Sequence, residues 1–457
     1  MRRIEKLYSV ILLMSVSSMV FAQEQVAQEP TSKLTFDEAV KIALKNNVNL
    51  NQQKNNLFSR QVQRNQSVAN FLPQVRLQGF AEHSEGQIPN PDGGELQDTK
   101  QDFVGANIRA DLGIFNGLNR LNTFFQTSQQ FKSQTALVNR TKQDVVFNVT
   151  NQYLQVLLDQ ELLRIANENY KTQNTTLEQL REQVNVGARP EADLYVQDAQ
   201  VRNMELLALR AQVTLQNDKA TFAQTLQLDP SIDFELVFPP FNIDLISLEG
   251  IAMDSLFAVA LKNREDLKQA RFQAEANENQ HKASINGYYP TIGLYAQYGS
   301  QYNSQLKPSP LYGDFRNQFT NVFPNLAVGV NVTVPIFDRM ITRNLRVQNK
   351  VAYDNAILQR DNLEKTVKID VQRAYNNYTA AIKAYYASQV QFQAGELALR
   401  TQQESFVLGV SSQVTLAQAN QTYVLGAASR AQAEVTLMFQ KYLLDYSLGT
   451  LTFDETP

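Results

Sequence analysis

The chain has 457 residues, a formal net charge of −3, two histidines, and neither cysteine nor tryptophan. Thiolate chemistry, disulfides and Cys/His metal centres are thereby excluded, and His83 and His281 stand too far apart in sequence for a His-rich site. Paired carboxylates, a nucleophile–base set or a phosphate loop do not occur at a meaningful spacing, so the chain reads as neither an enzyme nor a cofactor binder.

At the N-terminus, Arg2, Arg3 and Lys6 precede an apolar run from Leu7 to Val20, and Val20-Phe21-Ala22 then gives way to Gln23-Glu24-Gln25. A charged region, an apolar region and a small-residue end predict a signal peptide over 1–22, cleaved after Ala22. The run is short for a span of about 20 residues, and the absence of Cys excludes a lipoprotein-type anchor. Removal of this basic leader leaves a more acidic chain, which argues against nucleic acid as a partner. No later stretch is apolar for long enough to make a transmembrane helix. Residence in a membrane would therefore require a β-barrel.

The next elements come twice. Ala43-Leu44-Lys45-Asn46 recurs as Ala260-Leu261-Lys262-Asn263, and the same offset carries Leu50, Pro73 and Leu77 to Leu267, Pro290 and Leu294. Farther along, Val104-Gly105-Ala106-Asn107 matches Val328-Gly329-Val330-Asn331, and Ile114-Phe115-Asn116 matches Ile336-Phe337-Asp338. Gly187-Ala188 through Leu194 corresponds, at a slightly larger offset, to Gly409-Val410 through Leu416. The unit is a duplicated half-molecule, far longer than a solenoid repeat.

In the first half, 23–228, an amphipathic helix over roughly 35–70 ends at Pro73. Strands follow at about 74–85 and 102–115 around the loop Ile88–Gly94, then helices at about 117–186 and 190–228 with a turn at Gly187. A linker, 229–248, carries Pro230, Pro239 and Pro240. The second half, 249–457, repeats the order: a helix over 251–287 up to Pro290, strands at about 291–303 and 321–335 around Lys307–Gly313, then helices at about 338–408 and 412–449 turning at Gly409. Asn116 and Asp338, each after an Ile-Phe pair, are the expected N-caps of the two longest helices.

The strands alternate with period two. Val75, Leu77, Gly79 and Ala81 share a face opposite Gln74, Arg76, Gln78 and Glu82; Val104, Ala106, Ile108, Ala110 and Leu112 oppose Asn107, Arg109 and Asp111. In the second half Ile292, Leu294, Ala296 and Tyr298 oppose Thr291, Gly293, Tyr295 and Gln297, and Leu326 to Val334 alternates in the same way. Four such strands predict a barrel wall, apolar outside and wet inside. They are too few to close alone, since about eight strands are the practical minimum, so further copies have to supply the rest.

The long helices carry heptads. Val149, Val156, Leu163, Tyr170, Leu177 and Val184 are answered by Val371, Tyr378, Tyr385, Phe392, Leu399 and Phe406. Leu194, Val201, Ala208, Leu215 and Phe222 are answered by Leu416, Tyr423, Arg430, Leu437 and Leu444, with Arg430 the exception. A strict heptad predicts left-handed coiled coils, and these residues pack rather than catalyse.

This order of parts resembles the outer membrane efflux protein family, the TolC-like channels. The resemblance rests on the duplicated helix–strand–strand–helix–helix plan, on Ile-Phe-Asn/Asp at the junctions, and on a Val/Leu-Gly turn between coiled-coil helices. It implies a mainly α fold with a small β part: a homotrimer whose barrel of twelve strands sits in the cell outer membrane, touching its lipid, above a long periplasmic α-barrel with an equatorial region near the termini and linker. It further implies a passive exit duct of a tripartite efflux pump or type I secretion system, partnered by a periplasmic adaptor and an RND- or ABC-type inner-membrane transporter. The tip that meets the adaptor is then Val186, Gly187, Ala188 and Arg189 with Leu408, Gly409, Val410 and Ser411. A gate is expected at Arg189, Asp193, Thr415 and Gln418, the last two standing where well-known members carry an acidic ring. The other reading is a periplasm-spanning coiled-coil scaffold or adhesin, which would not need four strands with an apolar face.

Overall fold

The computed structural model describes residues 32–89, 96–229, 234–238 and 252–451. The signal peptide and most of the linker lie outside the described residues, as do positions 90–94 of the Ile88–Gly94 loop and the last residues.

Strand β1 (Ser32–Leu34) leads into α1 (Phe36–Asn46). Thr35 and Glu38 form a capping box: Thr35 Oγ1 accepts from the Glu38 N–H at 3.4 Å, and a Glu38 carboxylate oxygen accepts from the Thr35 N–H at 2.9 Å. The single helix expected over 35–70 is in fact two. The chain breaks at Asn47, whose φ of −58° and ψ of 121° leave the helical region, and α2 (Val48–Ala69) starts from the Asn47 side chain, which accepts from Leu50 N–H at 2.9 Å. The break recurs at the equivalent place in the second half, at Arg264, φ −60° and ψ 120°, between α5 (Met253–Asn263) and α6 (Glu265–Ala283).

Four strands form one antiparallel sheet, β2 (Gln74–Pro89), β3 (Leu96–Asn116), β5 (Thr291–Asn303) and β6 (Asn325–Thr333), in the order β2-β3-β5-β6. Strand β6 is shorter than the expected 321–335, because Gln318–Val322 winds into a π-turn before it. That turn lies along the top of β5, where the Gln318 side chain accepts from Asn303 N–H at 2.9 Å, covering strand edge that β6 does not reach.

The sheet leads into α3 (Asn119–Asn185), which turns into α4 (Glu191–Leu226), and into α7 (Ile341–Val407), which turns into α8 (Gln413–Leu448). At 1.5 Å per residue the two longest helices each extend about 100 Å. Both start later than expected, because Gly117-Leu118 and Arg339-Met340 each place two successive residues at positive φ. The side chains of Asn116 and Asp338 still accept from helical N–H groups, those of Arg120 at 3.3 Å and Thr342 at 2.8 Å. Every heptad position named above, Arg430 included, is buried or half-buried.

Two cores clasp the helices at mid-height. In the first, β1 pairs in parallel with β4 (Phe234–Leu236), a strand lying within the expected linker. Beneath this pair the fully buried Tyr153 and Phe222 stack edge-on with one another, Tyr153 with Phe36 and Phe222 with Phe234. The Tyr153 hydroxyl donates to the carbonyls of Val237 and Leu34, and burial pushes its pKa up to about 12. The second core sets Leu256 and Ala260 of α5 against Val367, Val371 and Tyr378 of α7 and Leu437 and Leu444 of α8. Arg264, almost fully buried, ties its ends together by bonding Asp266 and Asp370.

Candidate channel wall and tip

Among the described residues no helix is long and apolar enough to cross a membrane. The sheet is the element with an apolar surface of the right kind. Its register sets Val75 opposite Ala110, Leu77 opposite Ile108, Ile108 opposite Tyr298, Leu294 opposite Val330 and Ala296 opposite Val328. Opposed residues share a face, so the four apolar runs merge into one continuous surface. That surface is open: Leu77 is 78% and Val328 73% exposed. Val104 to Leu112 runs about 27 Å along the strand, enough for an apolar band about 25 Å tall once tilt is allowed for.

The other face is polar and bonded across strands. Arg76 of β2 pairs with Asp111 of β3 at 2.9 Å, Arg109 pairs with Asp111, and Arg109 also donates to Gln297 of β5 at 3.2 Å while lying over the Tyr295 ring. A charged lattice of this kind suits a water-filled lumen. At the outer end, the apolar face gives way to His83, Glu85, Lys100 and Asp102, which bond one another.

At the far end of the helices, the tips close through glycine. Gly187 and Gly409 sit at φ 74° and 75°, where a side chain is strained. Ala188 N–H and Val410 N–H reach back to the Gln183 and Ser405 carbonyls at 2.8 and 3.0 Å, the wide bond of a Schellman turn. Val186, Leu408 and Val410 are each more than three-quarters exposed. Within one chain Arg189 turns not to Asp193 but to the other hairpin, donating to the Phe406 carbonyl at 3.3 Å with its guanidinium 4.5 Å from the Phe406 ring. Asp193 stays in the first turn of α4 beside Glu191, where a helix N-terminus favours negative charge. Thr415 serves the cap of α8: its N–H donates to Ser412 Oγ at 3.2 Å and its hydroxyl meets Ser411 Oγ at 2.7 Å. Gln418 is exposed one turn on.

Between tip and core, the two halves meet through polar layers that the sequence reading missed. Asn420 of α8 donates to Asn169 of α3 at 2.9 Å, and Asn169 reaches the Met204 sulfur of α4. One layer nearer the tip, the Gln413 amide of α8 donates to Gln197 of α4, which donates to Gln173 of α3. All five of these Asn and Gln side chains are buried. Above these layers α3, α7, α8 and Phe238 enclose a groove of about 730 Å³. It is lined by charges that include Glu161 and Glu168, both already bound to Arg164.

The family model described as outer membrane efflux protein matches residues 39–228 and 256–440, one segment in each half. Outer membrane protein TolC of Vibrio cholerae is 22% identical over 385 residues, covering 84% of this chain and 83% of its own. Among solved structures, the outer membrane protein VceC of Vibrio cholerae aligns with a TM-score of 0.77 at 16% identity, over 91% of this chain and 96% of that one. The CmeC outer membrane channel of Campylobacter jejuni aligns equally well, at 16% identity over 93% and 90%. At such identity the structures speak for the fold alone, and the family rests on the matched model. The chain belongs to the outer membrane efflux protein family: it is a TolC-like efflux channel rather than an enzyme, seated in the outer membrane with its helical barrel in the periplasm.

Proposed function

We propose that this chain is one third of a homotrimeric exit duct, the outer component of a tripartite efflux pump or type I secretion system. The observation that carries the reading is the sheet. Its continuous apolar face ends at two unpaired edges, β2 and β6, which would leave backbone groups unsatisfied in lipid. Closure by two more copies removes both edges.

The periplasmic adaptor is taken to bind the exposed apolar tips at Val186, Gly187, Ala188, Arg189, Leu408, Gly409, Val410 and Ser411, and to couple the duct to an RND- or ABC-type transporter. Opening is a loosening of the tip coils, driven by the adaptor's preference for the open arrangement. The Arg189–Phe406 contact and the Gln413–Gln197–Gln173 and Asn420–Asn169 layers are the bonds such a motion has to break, and Asp193, Thr415 and Gln418 flank them. Purified protein in planar bilayers should give low, intermittent conductance. Recovery as a freely soluble monomer that forms no pores would overturn the proposal.

A further inference from the structure

Asp159 of α3 lies on the seam facing α4, just below the aromatic core, and is only 4% exposed. Gln155 donates to one of its carboxylate oxygens at 3.1 Å, while the other, Oδ2, is buried without a donor. The group within hydrogen-bonding reach of Asp159 across the seam is a second carboxyl, that of Asp218. Two carboxylates cannot bond without a proton between them. Burial, then Asp218, push Asp159 up to about 7.

Several of the surrounding charges are held by other partners. On α3, Arg164 is held by Glu161 and Glu168. On α4, Lys219 lies over the Phe234 ring of β4, beside Glu235, and Arg202 bonds Glu205. From α8, Arg430 and Glu434 face the groove that Glu161 and Arg164 line. From α1, Glu38 is bound into the cap at Thr35, and its neighbours on that helix are Asp37, Lys41 and Lys45.

We propose that Asp159 and Asp218 share one proton that locks the root of the first-repeat hairpin, and that its release to solvent as the periplasm turns alkaline sets two like charges across α3 and α4 and loosens that hairpin alone. The second repeat has no such pair, for the corresponding positions there hold Ala381 and Gln440. The inference rests on the fold of a single chain and stands whether or not the duct couples to a pump. The direction of the pH dependence follows from proton counting. Because the Asp159 pKa is raised in the fold, the folded chain keeps a proton that the unfolded chain has lost between about pH 4 and pH 7. Stability therefore falls as pH rises through that window and is level above it.

Hydrogen exchange on the purified full-length protein at pH 5.5 and pH 8, corrected for intrinsic rates, tests this. Amides of 153–165 and 212–224 should open about thirtyfold more often at the higher pH, the effect of one differentially bound proton over the part of the window between pH 5.5 and about 7. Those of 375–387 and 434–446 should not change. Asp159→Asn and Asp218→Asn should each abolish the response. Infrared spectroscopy of the wild type should show a buried protonated-carboxyl band that titrates near neutrality and is missing from Asp159→Asn, which holds even if Asp218→Asn folds poorly. A wild type without that band, or one whose exchange ignores pH, sinks the proposal. So does a chelator that alone reproduces the high-pH behaviour, since the occupant would then be a metal cation.

Discussion

In the second repeat α7 and α8 meet through glycines: a Cβ on Gly395 would lie 3.3 Å from Tyr423 Cα, and one on Gly426 3.3 Å from Phe392 Cα. In the first repeat the corresponding positions are Gln173 and Met204, both buried, so α3 and α4 are held apart by side chains whose polar atoms bond Gln197 and Asn169. One hairpin is a tight clasp and the other a spaced, hydrogen-bonded one. The same plan at the sequence level therefore yields two coils packed in different ways. The spaced coil is also the one whose α4 reaches across to α8 through Gln197 and Gln413. Movement between the halves is easier where hydrogen bonds can be exchanged with water than where backbones interlock.

The largest expected effect concerns what the two hairpins share, their anchorage at mid-height. Phe222→Ala, which removes a ring packed between Tyr153 and Phe234, should cost about 3–5 kcal/mol, read as a fall in the thermal midpoint. Its counterpart Leu444→Ala should cost about 2–5 kcal/mol. Equal and small losses at both sites would mean that the cores do not anchor the coils. Gly426→Met then attacks the tight clasp directly by installing the side chain that Met204 supplies in the first repeat. Overpacking predicts a loss of about 1–3 kcal/mol, with faster exchange confined to α7 and α8. The reverse change, Met204→Gly, should weaken α3 and α4 without tightening them, since Gln173 still holds the helices apart.

Much of this comparison was visible in the sequence and part of it was not. Period-two alternation located the shared apolar face of all four strands, because Val75, Ile108, Leu294 and Val330 each obey a rule set by neighbours two residues away. The heptads located the seams for the same reason. Helix starts were misplaced by a few residues, because the positive φ values of Leu118, Arg339 and Met340 have no residue-type signature. The breaks at Asn47 and Arg264 hid within continuous amphipathic patterns. The Asn169, Gln173, Gln197, Gln413 and Asn420 layers were missed because exposed Gln and Asn crowd the same helices. Only the meeting of the two halves decides which are buried, and a pattern within one half cannot register it.

The polar layers supply the next test. Gln413→Ala leaves the Gln197 carbonyl oxygen buried without its donor, worth about 1–3 kcal/mol, and removes the bond joining α4 to α8. In bilayers this variant should open more often than wild type, whereas Ser388→Ala, whose hydroxyl bonds only within α7, should not. Matching behaviour of the two variants would show that the layer has no special part in holding the halves together.

The smallest effect is expected at the tip, and it separates two accounts of closure. Arg189 crosses between the hairpins to the Phe406 carbonyl and ring in a half-exposed setting, so Arg189→Ala should cost no more than about 1 kcal/mol per chain. That is too little to register in thermal unfolding, yet three copies acting together would shift the open fraction measurably in single-channel records. Arg189→Lys keeps the charge but loses the planar stack on Phe406, and should fall between alanine and wild type. Asp193→Asn touches neither contact and should leave conductance unchanged. If instead it opens the pore as far as Arg189→Ala does, the two residues are paired between neighbouring copies, and the gate is a ring of ion pairs rather than a contact between the hairpins of one chain.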